Sequence, residues 1–287
     1  MQQKMNKKLV LLILSFFTMT SYSQDKELKL NHIYFVIDSS TFNKIKYNKK
    51  LHNLVNIDKG IPSFDKIDST STTLYLRGKS TYIEIMGPNN KFNEKVGSMG
   101  LGFSWDTNDT INNNFSKKTV KTSNIKFISS DAKWMFANNE VLWFTAFYTE
   151  LKGFISTWYA YYNPKFLSGL FGQEHSTFTR ELFLKNAYSK EKPITDLAEI
   201  ILNCSGEDFT KITTELSSFS LKSKNVKSRS AVYYLGTVKL TLKKANDNKS
   251  SIKTLKFATK SQIDKKTNDY GNIELINMNN NVIFNFK

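Results

Sequence analysis

Three histidines and one cysteine are all the imidazole and thiol in this chain of 287 residues. Any site built on such groups must therefore draw on His32, His52, His175 or Cys204. His32 is the most informative. It lies near the start of "LNHIYFVID", an otherwise apolar run with the β-branched and aromatic density of a buried strand. An imidazole costs free energy to bury unless it finds a partner, so this ring is either satisfied by a hydrogen bond or aimed at something. His52, in "KLHNLV" on a lysine-rich helical stretch, reads as solvent-facing, and Cys204, in "IILNCSG", reads as a small core residue and not a nucleophile. The orders G-x-G-x-x-G, G-x-S-x-G, H-E-x-x-H and C-x-x-C do not occur.

The elements that must hold these residues come in a repeating order. Leu30 to Ile37 reads as a strand, and "SSTFNKIKYNKKLHNLV" as one helix with cap-like serines and an apolar face of Phe42, Ile45, Leu51, Leu54 and Val55. "TTLYLRG" and "STYIEIMGPNN" then form a hairpin about Gly78, Lys79 and Ser80, ended by Gly87 and Pro88. The order recurs: a glycine-rich strand in "GSMGLGFSWD", a short helix in "DTINNNFSKKTVKTSN", and an aromatic hairpin in "EVLWFTAFYTELKGFISTWYAYYNP" that Pro164 ends. Within that hairpin, alternation groups Trp143, Phe147, Trp158 and Tyr162 on one face and Phe144, Tyr148, Tyr159 and Tyr161 on the other. One face is core, and the other lines a cavity where rings stack on a flat or sugar-like ligand. After a linker, "NAYSKEKPITD", residues 194–287 read as a smaller α/β unit.

Aligning the two repeats on Asp38 and Asp106 sets His32 opposite Gly100. Aligning Pro88 with Pro164 sets Glu84 opposite Ala160. With these residues the sequence resembles the vicinal oxygen chelate superfamily of glyoxalase, extradiol dioxygenase and bleomycin-resistance proteins, over roughly Leu30 to Pro164. The tail is similar to the extra half-module of some secreted glyoxalase-like bacterial proteins. The resemblance implies an α+β fold of paired βαβββ modules, about 30–96 and 97–184, forming a cupped mixed sheet with a C-terminal half-module. It also implies a divalent metal, zinc, iron, manganese or nickel, held by one ligand from the first and one from the last strand of each module. His32 and Glu84 match the first pair, whereas Gly100 and Ala160 carry no donor. His175 or Glu174 in "GQEHST" is the candidate to complete a two-histidine, one-carboxylate set. The other reading makes His32 and Glu84 a buried, mutually satisfied pair left by a lost metal site.

Arg77, Tyr82, Trp143 and Trp158 are the candidates to touch a small molecule. Arg77 and Lys79 flank a turn, from which exposed charges would attract a carboxylate at the rim. The formal charge is +16, but the excess is lysine, with only Arg77, Arg180 and Arg229 offering the planar fork suited to phosphate and guanine. That distribution fits a solvated surface and argues against a nucleic-acid groove. Residues 1–23 read as a signal peptide, with Lys4, Lys7 and Lys8 before the apolar "LVLLILSFFTM" and small residues for cleavage before Gln24. The expectation is an exported protein, periplasmic or secreted, without a transmembrane segment after processing. It would be a monomer or homodimer binding a small molecule, either as a metal-dependent lyase, isomerase or hydrolase or without catalysis.

Overall fold

Hydrophobic alternation and helix-capping residues divide the chain into three similar runs. The computed structural model describes residues 27–108 and 125–287. β1 (Lys29–Val36) leads into α1 (Ser39–Lys46) and α2 (Lys49–Leu54), then β2 (Asn56–Asp58), β3 (Thr73–Arg77) and β4 (Tyr82–Met86). The single helix expected over 39–55 is two. The chain breaks at Tyr47 and Asn48, where the Asn48 side chain accepts from Leu51 N and caps the second helix. His52 is half-buried rather than solvent-facing, and its Nε2 donates to the Lys46 carbonyl at that break, at 2.9 Å.

The second run is β5 (Met99–Trp105), β6 (Thr107–Asn108), β7 (Phe127–Phe136), β8 (Asn139–Thr149) and β9 (Ser156–Tyr162). The short helix read over 109–124 lies outside the described residues. β7 has no counterpart in the sequence reading, because it is polar and largely exposed. Then α3 (Pro164–Phe171), β10 (Thr177–Phe178) and α4 (Arg180–Leu184) lead to the last run. That run is β11 (Ile194–Cys204), α5 (Gly206–Ser218), β12 (Lys224–Lys227), β13 (Ser230–Leu235) and β14 (Val238–Lys244), followed by the long hairpin β15 (Ser251–Asp269) and β16 (Ile273–Phe286).

The first two runs share one eight-stranded sheet in the order β2-β3-β4-β1-β5-β9-β8-β7. β1 pairs parallel with β4, β5 pairs parallel with β9, and β1 and β5 join the halves antiparallel. This is the expected α+β architecture: two strand modules edge to edge in one mixed sheet, the first of them a complete βαβββ unit. The last run forms a second sheet, β12-β13-β14-β11-β15-β16, in which β11 and β14 are again parallel. The C-terminal unit, expected as a half-module, thus contains a complete module of the same topology with β15 and β16 added beside it.

The two sheets share one core. α5 lies between them: it packs Ile212 and Leu216 into that core, donates from Lys211 to the Ile155 carbonyl at 2.7 Å, and accepts at Glu215 from Tyr159 at 2.9 Å. Asp196, at the start of β11, accepts from the backbone N–H groups and hydroxyls of Ser80 and Thr81 and so closes the β3–β4 turn. Cys204 is buried in the core and burial pushes its thiol up to about 12, as befits an inert residue. Among the described residues no helix is long and apolar enough to cross a membrane.

Candidate functional site

The concave face of the eight-stranded sheet is unevenly filled. Over the second module, the segment from Pro164 to Leu184 packs Phe166, Leu167, Phe178 and Phe183 into the cup, with Trp143 stacked on Phe166 and Tyr162 on Phe178 at centroid distances of 4.8 and 4.6 Å. Over the first module a cavity of about 460 Å³ remains. His32, Arg77, Tyr82, Glu84, Trp143 and Trp158, six candidates scattered through the sequence, all line it. His175 does not. It lies beyond α3, with its ring against Phe171 and its Nε2 3.2 Å from Gln173 Nε2, so the structure does not bring this third candidate ligand to the other two.

His32 owes its orientation to a bulge. Between Leu30 and His32 the β1–β5 register slips by one residue, leaving Asn31 as the extra residue on the same side as the imidazole. Asn31 is fully buried, accepts from His32 Nδ1 at 2.9 Å, and donates to Ser104 Oγ at 3.2 Å and Tyr162 Oη at 2.9 Å. These bonds fix the tautomer, leaving the His32 Nε2 lone pair facing Glu84 Oε2 at 4.0 Å, beyond hydrogen-bond reach. Tyr82 stacks on one face of the imidazole at 4.4 Å and Trp158 meets it edge-on at 5.0 Å. Glu84 is held on its other oxygen by the Tyr75 hydroxyl at 2.7 Å. Asn31 was missed in the sequence, although a second polar residue beside His32 in a buried strand was the available signal.

The electrostatics push both groups toward neutrality. Burial, then the charges of Arg180 and Arg77, hold His32 well below the usual imidazole range, and burial raises the Glu84 carboxyl against the opposing pull of Tyr75, Lys91 and Arg77. Burial likewise raises the Tyr75 and Tyr82 phenols, which stay protonated. Above the ordinary carboxylate range the unfolded chain ionises Glu84 before the folded one does, so its contribution is complete at low pH and is lost as pH climbs. Below about 6.5 the unfolded chain protonates His32 first, so that contribution is lost toward acid. Glu84→Gln, which removes only the first penalty, is expected to melt progressively higher than the natural chain between pH 5 and pH 8. Each tenfold displacement of the proton equilibrium is about 1.4 kcal/mol. A melting difference that does not change with pH would contradict the assignment.

Arg77 is not the exposed turn charge that the sequence suggested. It is 2% exposed and paired in a fork with Asp58 at 2.7 Å through both Nε and Nη2, and its guanidinium lies over the rings of Phe64, Tyr75 and Tyr82. Lys79 is exposed and meets Glu181 at 3.2 Å. The expected grouping of aromatics also changes. Phe147, Tyr159 and Tyr161 join the core behind the sheet, whereas Trp143, Phe144, Tyr148, Trp158 and Tyr162 line the cup. Cross-strand partners share a face, and the register pairs Phe144 with Tyr162 and Phe147 with Tyr159. A one-residue slip opposite Ala132 and Lys133 adds Trp143 to the cup side.

A divalent metal implied by the resemblance does not fit these side chains. Among the described residues no three His, Cys, Asp or Glu groups come together. The registers also show that the two sequence alignments cannot hold at once. Glu84 lies two residues past Tyr82, the partner of His32, and the residue in the same relation to Gly100 is Trp158, not Ala160. The spaces where donors from β5 would project are occupied by rings. A Cβ on Gly102 would stand 2.7 Å from Trp158 Cζ2 and 3.0 Å from His32 Cε1, and one on Gly100 would stand 2.4 Å from Tyr34 Cε1. Two donors are fewer than the three or more protein ligands of an ordinary catalytic centre.

The paired modules around a cup, with a histidine and a glutamate on the first and last strands of the first, are the arrangement that the sequence resemblance leads one to expect. The chain belongs to DUF5829, a family of unknown function, whose model matches residues 30–286. No curated protein matches it. Solved structures similar to it include a hypothetical protein from Staphylococcus aureus, at 10% identity and a TM-score of 0.48 over 76% of this chain and 86% of that one. A triple mutant of 4-hydroxymandelate synthase from Streptomyces coelicolor has 11% identity and a TM-score of 0.42, over 77% and 64%. A xylose isomerase-like TIM barrel/4-hydroxyphenylpyruvate dioxygenase fusion protein has 11% identity and a TM-score of 0.43, over 85% of this chain and 39% of that one.

Proposed function

We propose that this protein is an exported, metal-independent binder of a flat, mostly apolar small molecule, which it takes into the cup over the first module. The observation that carries the reading is the exchange of donors for rings: where the second module would supply ligands, Gly100 and Gly102 leave room for Tyr34 and Trp158, and α3 and α4 fill that half of the cup. What remains is an aromatic-walled cavity with a few convergent polar groups, the usual form of a small-molecule site. His32 Nε2 supplies an acceptor at its floor, and beside it stands the Glu84 carboxyl, whose burial favours the protonated form. Export is supported by the sequence of residues 1–23, which lie outside the described residues.

Titrating the purified protein with planar aromatic compounds, followed by tryptophan fluorescence and melting temperature, tests the reading. Binding is expected to quench Trp143 and Trp158 and raise the melting temperature, and His32→Gln is expected to fold normally. Added zinc, manganese, iron or nickel should leave the melting curve in place. Stoichiometric metal in the purified protein, lost in His32→Ala, would overturn the proposal.

A further inference from the structure

One buried charge acts on the site only from a distance, through its effect on His32. Arg180 opens α4 inside the segment that fills the cup; it is 2% exposed, and none of its three guanidinium nitrogens has a hydrogen-bond partner among the described residues. A buried guanidinium without an acceptor is costly, and natural interiors rarely keep one. The acid nearest in electrostatic effect, Asp106, forms an ion pair with Lys29 and accepts a bond from Arg180 only at the backbone N–H, at 3.2 Å. The other buried arginine beside the cup, Arg77, is neutralised by Asp58. Behind the cup's rings, on the side of a second cavity that it lines with Lys29, Asp106 and Glu181, Arg180 therefore keeps a guanidinium with no acceptor among the described residues.

The surroundings of Arg180 show where the balance belongs. Its guanidinium is caged by the rings of Tyr82, Tyr162 and Phe183, at 5.4, 5.6 and 4.9 Å from their centroids, and all three rings line the cup. Tyr162 and Phe183 are buried, while Tyr82 keeps some exposure and is the wall an entering group can displace. We infer that the ligand of the cup is an organic anion with one carboxylate on an apolar ring system, and that this carboxylate enters the Tyr82–Tyr162–Phe183 corner to pair with Arg180. The inference rests on the cup being a small-molecule site and adds the charge of its occupant. A carboxylate matches the fork of N–H groups on a guanidinium in two parallel bonds. Ring stacking on Trp158 and Tyr148 would hold the body of the same molecule.

The test compares 2-naphthoate with 2-naphthamide, which have nearly the same shape and differ in charge, by tryptophan quenching on the full-length mature protein. The acid is expected to bind at least tenfold more tightly than the amide. Arg180→Met should lower affinity for the acid at least tenfold, leave the amide within twofold, and melt no lower than the natural chain, because it removes an unbalanced charge. Arg180→Lys, which keeps the charge and loses the fork, should fall between. Equal binding of acid and amide by the natural chain, or undiminished acid binding by Arg180→Met, would refute the anion while leaving the cup as a binding site. Failure of both compounds to bind would count against the cup itself. Should Arg180→Met not fold, the acid-to-amide ratio of the natural chain and the Arg180→Lys result decide alone.

Discussion

Asp58→Ala is expected to destabilise the fold by about 3–5 kcal/mol, the cost of stripping one partner from a buried ion pair. Both side chains of the Asp58–Arg77 pair are 2% exposed, and the aspartate also accepts from Gly60 N at 2.7 Å, so the substitution orphans a guanidinium and a backbone donor together. For a chain of this size that is a fall in melting temperature of about 6–20 °C. The double variant Asp58→Ala, Arg77→Met should recover most of the loss, because the rings of Phe64, Tyr75 and Tyr82 already form an apolar box around the arginine stem. Melting curves of the four members of the cycle measure this. If the double variant is as unstable as the sum of the singles, the damage comes from β2 itself and not from the stranded charge.

That pair also marks where sequence reading stops. Arg77 was found because it flanks a turn between two clear strands, and its residue type was informative. Its partner was not, since Asp58 lies in a three-residue strand, β2, amid polar sequence that looks like loop. The same limit explains the aromatic hairpin. Alternation within a strand is local and legible, but which residue of β8 faces which residue of β9 depends on the six-residue connection, and a bulge at Trp143 turns one ring over. His32 and Glu84 were legible because the repeat supplied a second copy for comparison. Even so, the punctuation chosen for alignment, Asp38 for one strand and Pro88 for the other, was off by two residues between them, which a parallel register settles and a sequence does not. Arg180 was visible only as one of three arginines among many lysines. That scarcity was itself the signal, since a chain that otherwise uses lysine needs a reason to place a planar fork.

The third module is expected to support the cup from behind, and Glu215→Ala is the substitution that shows it. Glu215 is fully buried on α5 and reaches across to the first sheet, accepting from the hydroxyls of Tyr159 and Thr149. Tyr159 stacks on Phe103 at 5.1 Å and is the neighbour in β9 of Trp158, the ring that stands where a second-module donor would be. Removing the carboxylate leaves the buried Tyr159 hydroxyl without an acceptor and opens a gap beside it, a loss of about 2–5 kcal/mol. Glu215→Gln, which keeps one acceptor oxygen, should lose less. The four tryptophans, Trp105, Trp134, Trp143 and Trp158, all lie in the first sheet, so their fluorescence follows that sheet and, through Trp105 against Phe219, its contact with the end of α5, whereas far-ultraviolet circular dichroism follows both sheets. In the natural chain the two signals should unfold together, because the sheets share one core. In Glu215→Ala the fluorescence transition should move to lower denaturant and separate from the dichroism. Coincident transitions with an unmoved midpoint would show that α5 rests against the cup's sheet without holding it.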